Sequence, residues 1–292
     1  VNLDSGNAAE IKKEMKAMKN AAAETREYEN LPGERWSQLK AMAISPRHYR
    51  HGIDTEDESE SKAMRLGTAL HTMVLEPATF MDRHPVFAGS RRGKAWDEFK
   101  AAHPDRDILT EPEWFVVHGM AESITTHPLA MEHLRHGLKE RVLQWTDADT
   151  GLQCKGRCDS VNGHLVELKT CNGMSFPHEK FESHAVRLGY HGQLAFYSDG
   201  LAAEGYEPDM EPTMIVVESA PPFDVAVYSV KPEIIEAGRA MYKALLQRVK
   251  ECTGSGQWPG VCGAEPLYLG LPAWAQQDVL PKVTFGGKEA AL

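Results

Sequence analysis

The sequence predicts an α/β fold, a single domain in which a mixed central β-sheet is flanked by α-helices. Three observations carry this expectation. Helical spacing of apolar residues dominates the chain up to about Leu138. Period-two alternation takes over in ERVLQWTDADTGLQCKGRCDSV and GHLVELKT, and returns in TMIVVES and FDVAVYSV. A helical stretch lies between the two strand groups and another follows the second, an order that wraps helices around one sheet.

Taken in order, residues 1–35 form an arm, and its Ala, Glu and Lys content (AAEIKKEMKAMKNAAAET) reads as a solvated helix. LPGERWSQLKAMAIS holds a short helix with Trp36, Leu39 and Met42 on one side. Ser45-Pro46 has the form of an N-cap followed by proline at the first helical position. DTEDESES, residues 54–61, is a charged loop. Residues 61–77 carry Leu66, Leu70, Met73 and Val74 as a helical stripe that Pro77 ends. A basic cluster, Arg91, Arg92 and Lys94, follows, and then a helical run from Glu111 to about Leu138, in one or two pieces. The Asp147–Gly151 turn signal splits the first strand pair. Residues 183–204 read as one helix, 213–219 and 223–230 as strands joined at Pro221-Pro222, and Pro232–Cys252 as a strong final helix. The expected division is an arm (1–35), a main domain (36–260) and an irregular Gly/Pro-rich tail (261–292).

Composition sets broad limits. Apolar content of 42% and charged content of 25% are those of a soluble globular chain, and no apolar run is long enough to span a bilayer, so no membrane partner is expected. The first residues show no basic stretch ahead of an apolar one, so no secretory leader is expected. Five cysteines without a CxxC pair imply free thiols in a reducing cytoplasm. A net charge of −10 argues against nucleic-acid binding by the surface as a whole, while leaving room for a local basic face.

The chemistry concentrates in GRCDSVNGHLVELKT, residues 156–170. Asn162-Gly163 marks a hairpin. Odd positions carry Lys155, Arg157 and Asp159, then Leu165, Glu167 and Lys169; even positions carry Cys154, Gly156, Cys158, Val166 and Leu168. One face is charged and the other small or apolar. A three-residue loop, Val161-Asn162-Gly163, brings odd to odd, with Gly163 left-handed, Asp159 opposite Leu165 and Arg157 opposite Glu167. A solvated face with cross-strand ion pairs is one reading. The other is a divalent-metal site, with two carboxylates as hard oxygen donors and Lys169 placed to orient a water or offset developing charge.

These residues resemble a known superfamily. Asp159 followed by Glu167-Leu168-Lys169 is similar to the PD-(D/E)xK nuclease signature, with Cys158 in place of the proline. Gly67–His71 resembles the GxxxH helix motif of its RecB-like branch, and Gln193–Tyr197 that branch's QxxxY motif. RLGTALHTMVLEP, SRRGKAWDEF and AISPRHYR resemble the C-terminal nuclease domain of RecE-type exonuclease VIII, found in phages and prophages, over about Trp36–Pro259. The resemblance implies a restriction-endonuclease-like core and a 5′→3′ exonuclease on linear double-stranded DNA ends. It implies a 3′ single strand left for a single-strand annealing partner, and a homo-oligomeric ring. It carries the metal ligands to His71, Asp159, Glu167 and the Leu168 carbonyl, with one or two Mg2+ or Mn2+ ions, and the catalytic lysine to Lys169. An iron–sulfur cluster, held in some branch members by one early and three late cysteines, is not expected, since nothing precedes Cys154.

Around that core, Gln193 and Tyr197 share a helix face with Tyr190 and are expected to brace the hairpin, a water or the DNA backbone. Glu76 is a candidate for a second ion. Ser45 and Arg47, at a helix start, are candidates for a 5′-phosphate pocket. Arg91, Arg92 and Lys94, with Lys155 and Arg157 from the hairpin, are candidates to track the DNA backbone. Two alternatives stand beside the exonuclease: a catalytically inactive DNA-end-binding scaffold, and an endonuclease or single-strand nuclease of the same superfamily.

Overall fold

The structure, a computed structural model, describes residues 28–55, 61–173, 178–208, 210–271, 282–285 and 288–291. The expectations for the arm up to residue 27 and for residues 56–60 lie outside the described residues. Helices α1 (Trp36–Met42), α2 (Pro46–Asp54) and α3 (Lys62–Leu75) open the fold. Ser45 caps α2 by accepting from the His48 N–H, and Ser61 caps α3 by accepting from that of Met64. Glu76 ends α3, and Pro77 begins a 3-10 turn that leads into α4 (Phe80–Arg83). Two short parallel strands, β1 (Val86–Phe87) and β2 (Leu109–Thr110), flank α5 (Lys94–Ala102). The run from Glu111 is two helices, α6 (Glu111–Thr126) and α7 (Pro128–Leu134), broken where Pro128 follows His127.

The main sheet follows: β3 (Leu138–Thr146), β4 (Gln153–Val161), β5 (Leu165–Cys171), β6 (Thr213–Glu218) and β7 (Val225–Ser229), in that spatial order. Only β5 and β6 run parallel, and the expected mixed sheet is present. Helices α8 (His178–Arg187) and α9 (Tyr190–Ala203) form the crossover, and α10 (Pro232–Ser255) closes the layer. The single helix expected at 183–204 is therefore two, interrupted at Gly189, whose φ of 75° is a left-handed value that glycine adopts without strain. The tail expected to be irregular contains two antiparallel strands, β8 (Lys282–Phe285) and β9 (Lys288–Ala291).

Two apolar layers sandwich the sheet. One joins Trp36, Leu39 and Met42 of α1 to Leu194 and Phe196 of α9, Tyr242 and Leu246 of α10, and Trp145, Cys158 and Leu165 of the sheet. The other joins Leu66 and Leu70 of α3 and Val117, Met120 and Ile124 of α6 to Val166, Leu168, Ile215 and Val217. Helix α3 is thus the wall of the cleft facing β5. Among the described residues no helix is long and apolar enough to cross a membrane, and all five cysteines are free thiols.

Helices α9 and α10 touch backbone to backbone at one point. A Cβ added to Gly238 would sit 2.1 Å from the His191 carbonyl oxygen, a contact only a shift of the helices relieves. Gly238→Ala is expected to cost about 1–3 kcal/mol of stability by overpacking. Thermal unfolding checks this.

Candidate metal centre and active site

The cleft is built where the sheet departs from ideal geometry. β4 and β5 share only two registered pairs, Ser160 with Val166 and Val161 with Leu165. The loop has the expected three residues, and Gly163 is left-handed at φ 68°, but it comprises Asn162-Gly163-His164. The expected pairing of Asp159 with Leu165 and Arg157 with Glu167 is therefore shifted by two residues. Asn162 stays in the loop because its side-chain amide donates to the Glu132 and His133 carbonyls and its N–H to that of His164. Beyond the two pairs the strands part, and side chains replace ladder bonds. Asp159 Oδ2 accepts from the Leu168 N–H at 2.7 Å, and Glu167 Oε1 accepts from that of Asp159 at 3.3 Å.

On the other edge of β4, Glu140 stands across from Asp159, between the pairs Lys139–Ser160 and Arg141–Cys158. Its φ is 50°, a left-handed value rare for a residue with a Cβ. The pleat slips at this step: Cys154, Cys158 and Val161 all reach the same apolar layer, although the last two are an odd offset of three positions apart. Strain of this kind is held by surrounding structure and gathers at working sites.

The slip and the splay converge the charged groups. His71, reaching from α3, places Nδ1 3.2 Å from Asp159 Oδ1 and Nε2 3.0 Å from the Leu168 carbonyl oxygen. His71, Glu140 and Asp159 each offer a ligand atom, all within 4.8 Å of one another. Glu167 is fully buried, and its Oε2 accepts from Lys169 Nζ at 2.8 Å and from Gln193 Nε2 at 3.2 Å. Gln193 lies 3.4 Å from the Tyr197 hydroxyl, and the Tyr190 ring faces the Lys169 ammonium at 5.5 Å. The compact ligating set therefore contains Glu140 where the resemblance implies Glu167, whose Oε2 is turned to Lys169 and Gln193 and whose Oε1 is turned to the Asp159 N–H.

Electrostatics define what this set lacks. Burial first, then the attractions and repulsions of its neighbours, push the Glu140 carboxyl up to about 7; Arg157 opposes the rise and Asp159 adds to it. Glu167 is raised in the same way, by burial and then by Asp159. Asp159 itself is held low: His71 and Lys169 outweigh its burial. Burial resists charge on Lys169, but Glu167 and Asp159 override it and keep the ammonium protonated. With an imidazole and two carboxylates converging, His71, Glu140 and Asp159 form a set able to hold a divalent cation. Oxygen donors with one imidazole suit a hard or borderline divalent metal.

A pH dependence follows, with its sign fixed. The folded chain keeps a proton on Glu140 between about 4.5 and about 7, where the unfolded chain has released it. That stability is complete below the lower value and is lost as pH rises through the upper one. With chelator present, thermal unfolding is expected to show a loss on the order of 1–3 kcal/mol between pH 5 and 7.5. Added Mn2+ should restore stability at pH 7.5 more than at pH 5, because ligands must shed protons to bind.

A cleft of about 1210 Å3 opens over these groups, lined by His71, Glu76, Glu140, Arg157, Asp159, Lys169, Tyr190, Gln193 and Tyr197. Glu76 lies at its edge, held by Arg83 at 2.8 Å, and is outside the ligating set. Arg157 pairs with Glu140 at 2.8 Å. Lys155 corrects the expectation of a DNA contact: it is 5% exposed and spends its ammonium on backbone carbonyls.

The remaining basic candidates sit elsewhere. Ser45 and Arg47 do not line the cleft. The α2 start is occupied by the chain itself, since the Ser45 hydroxyl takes the His48 N–H and the Pro259 carbonyl takes that of Arg47. Arg91 is committed to Glu113 at 2.6 Å and to the Ile108 carbonyl, with Arg65 on the same carboxylate. Arg92 is exposed just before α5 and Lys94 is exposed at its first position, against Glu98, and neither lines the cleft. Sequence reasoning missed Glu140, Arg35, Ser37 and Lys62, all in the cleft wall. For Glu140 a signal existed, because counting back across the Asp147–Gly151 turn sets it opposite Asp159.

No curated protein matches the chain. Among solved structures, it is similar to a putative exonuclease from Eubacterium rectale, with a TM-score of 0.56 at 15% identity over 84% of this chain and 93% of that one. At that identity the likeness speaks for the fold alone. The family model described as a PDDEXK-like domain of unknown function (DUF3799) matches residues 36–266. With a model spanning most of its length and a His–Glu–Asp set in the cleft, the chain belongs to this PD-(D/E)xK-like family.

Proposed function

We propose that the protein is a metal-dependent 5′→3′ exodeoxyribonuclease that degrades linear duplex DNA from its ends and leaves a 3′ strand for an annealing partner. The observation that carries the hydrolase reading is the convergence of His71, Glu140 and Asp159 with Lys169, Glu167 and Gln193 at one cleft. Polarity, the annealing partner and a ring-shaped homo-oligomer are supported by the resemblance to RecE-type nucleases.

His71, Glu140, Asp159 and the neighbouring Leu168 carbonyl would hold a Mg2+ or Mn2+ ion, which would offset phosphate charge and acidify a water. The chain's own groups do the rest. Lys169 is held as an ammonium, so it acts as a cation toward the phosphate and not as a base. Glu167 fixes Lys169 and Gln193 through its second oxygen, and its raised proton affinity suits it to receive the proton a nucleophilic water loses. Arg35, Ser37 and Lys62 in the cleft wall hold the DNA backbone. A ring with basic residues lining its bore and acidic ones facing outward would reconcile the net charge of −10 with a DNA substrate.

Digestion of a duplex labelled at one 5′ terminus tests this, with and without chelator. The expected result is metal-dependent release of short labelled product from linear DNA and no cutting of closed circles. Intact linear DNA that is still bound at its ends supports the scaffold reading instead. Nicked circles or a preference for single strands supports an endonuclease or single-strand nuclease.

A further inference from the structure

Residues 28–31, of which 28–30 are helical, precede α1, and β4 holds them firmly. Lys155, buried on β4, donates through its ammonium to the carbonyls of Tyr28 at 3.0 Å, Glu29 at 3.2 Å and Leu31 at 2.8 Å. Three donors meet three acceptors, the condition under which a buried ammonium is tolerated. Glu34 extends the attachment: its N–H donates to the Gln153 carbonyl and its carbonyl accepts from the Lys155 N–H, each at 2.8 Å.

The attachment sets the Tyr28 ring against two cations, with Lys155 Nζ 4.9 Å and the Arg157 guanidinium 5.4 Å from its centroid. Arg157 in turn donates through Nε to Glu140 Oε2 at 2.8 Å. Glu140 is a member of the ligating set and rests on strained backbone. A carboxylate has two oxygens, so Arg157 can hold Oε2 and leave Oε1 to a cation. Partners behind a ligand fix its orientation and typically change metal affinity by one to two orders of magnitude when removed.

We propose that Tyr28 is a positioning residue of the metal centre: its ring clamps Arg157 against Glu140, so the segment before α1 sets how tightly the site binds a divalent cation. The inference rests on the metal-centre reading above. Removing Arg157 outright would mix two opposed effects, the loss of orientation and the loss of a positive charge that repels the ion. Tyr28 is neutral and separates them.

The test uses the full chain as wild type, Tyr28→Phe, Tyr28→Ala and Arg157→Lys, each titrated with Mn2+ while free Mn2+ is read by electron paramagnetic resonance. Thermal unfolding is followed in parallel. Tyr28→Phe keeps the ring and should bind as wild type does. Tyr28→Ala should bind roughly tenfold more weakly. Arg157→Lys keeps the charge, lacks the Nε contact and should weaken binding similarly. Wild-type affinity in Tyr28→Ala, or equal loss in Tyr28→Phe and Tyr28→Ala, overturns the inference. If Tyr28→Ala does not fold, wild-type affinity in Arg157→Lys overturns it. A wild-type chain that binds no Mn2+ overturns the metal-centre reading as well, whereas an ion bound equally by wild type and Tyr28→Ala overturns this inference alone.

Discussion

Asp159→Asn is expected to lower the rate of DNA hydrolysis by roughly a thousandfold or more while leaving the fold in place, since removing a preorganised charge from a reaction centre has effects of that size. Asparagine is nearly isosteric, and its carbonyl oxygen can still accept the Leu168 N–H that Asp159 Oδ2 takes at 2.7 Å. What it lacks is the negative charge beside His71 Nδ1. Without it, the His71–Glu140–Asp159 set offers one anionic donor where it had two. Stability should fall as well, but modestly. Neutralising Asp159 relieves its repulsion of Glu140 and Glu167, yet it also removes the attraction of His71 and Lys169 that holds Asp159 ionised, and that attraction is the larger, so the metal-free variant should melt somewhat below wild type while remaining folded. Activity and melting measured on the same preparation check both halves, and loss of a cooperative melting transition would point to misfolding.

Lys169→Met should cost roughly a hundred- to a thousandfold in rate with little change in DNA binding. The ammonium sits 2.8 Å from Glu167 Oε2 under the Tyr190 ring, and its neighbours hold it charged. Methionine keeps the length of the side chain and removes the cation. Glu167, fully buried, would then keep only Gln193 and the Asp159 N–H as donors, and its carboxyl would rise further. The variant's pH–rate profile should shift to higher pH as a result. Single-turnover rates across pH, with affinity measured separately, distinguish this from a loss of substrate binding.

The chemistry of the hairpin was legible because alternation exposes it. Charged residues at every second position of a buried strand have few structural explanations, and Asp159, Glu167 and Lys169 do meet at the cleft. His71, Gln193 and Tyr197 joined them through the resemblance of their motifs to the RecB-like branch, and helix spacing places Gln193 and Tyr197 on the same face of α9. The register was not legible. A ladder rule assumes backbone bonds, and here carboxylates supply them after two pairs.

Glu140 was hidden for a related reason. It occupies a left-handed conformation that pattern rules do not assign to a glutamate within a strand. Lys155 read as a surface cation because its three acceptors come from residues more than a hundred positions earlier in the chain. Ser45 and Arg47 read correctly as a helix start, but the carbonyl of Pro259, remote in sequence, fills the position a phosphate would need. Long-range backbone contacts of this kind leave no periodic trace.

The most direct test of the metal centre is an anomalous-difference map from crystals soaked in Mn2+. The account predicts a peak about 2.0–2.4 Å from the oxygens of Asp159 and Glu140 and from a nitrogen of His71. A peak bound elsewhere, or none at that cluster with the side chains ordered, would contradict it.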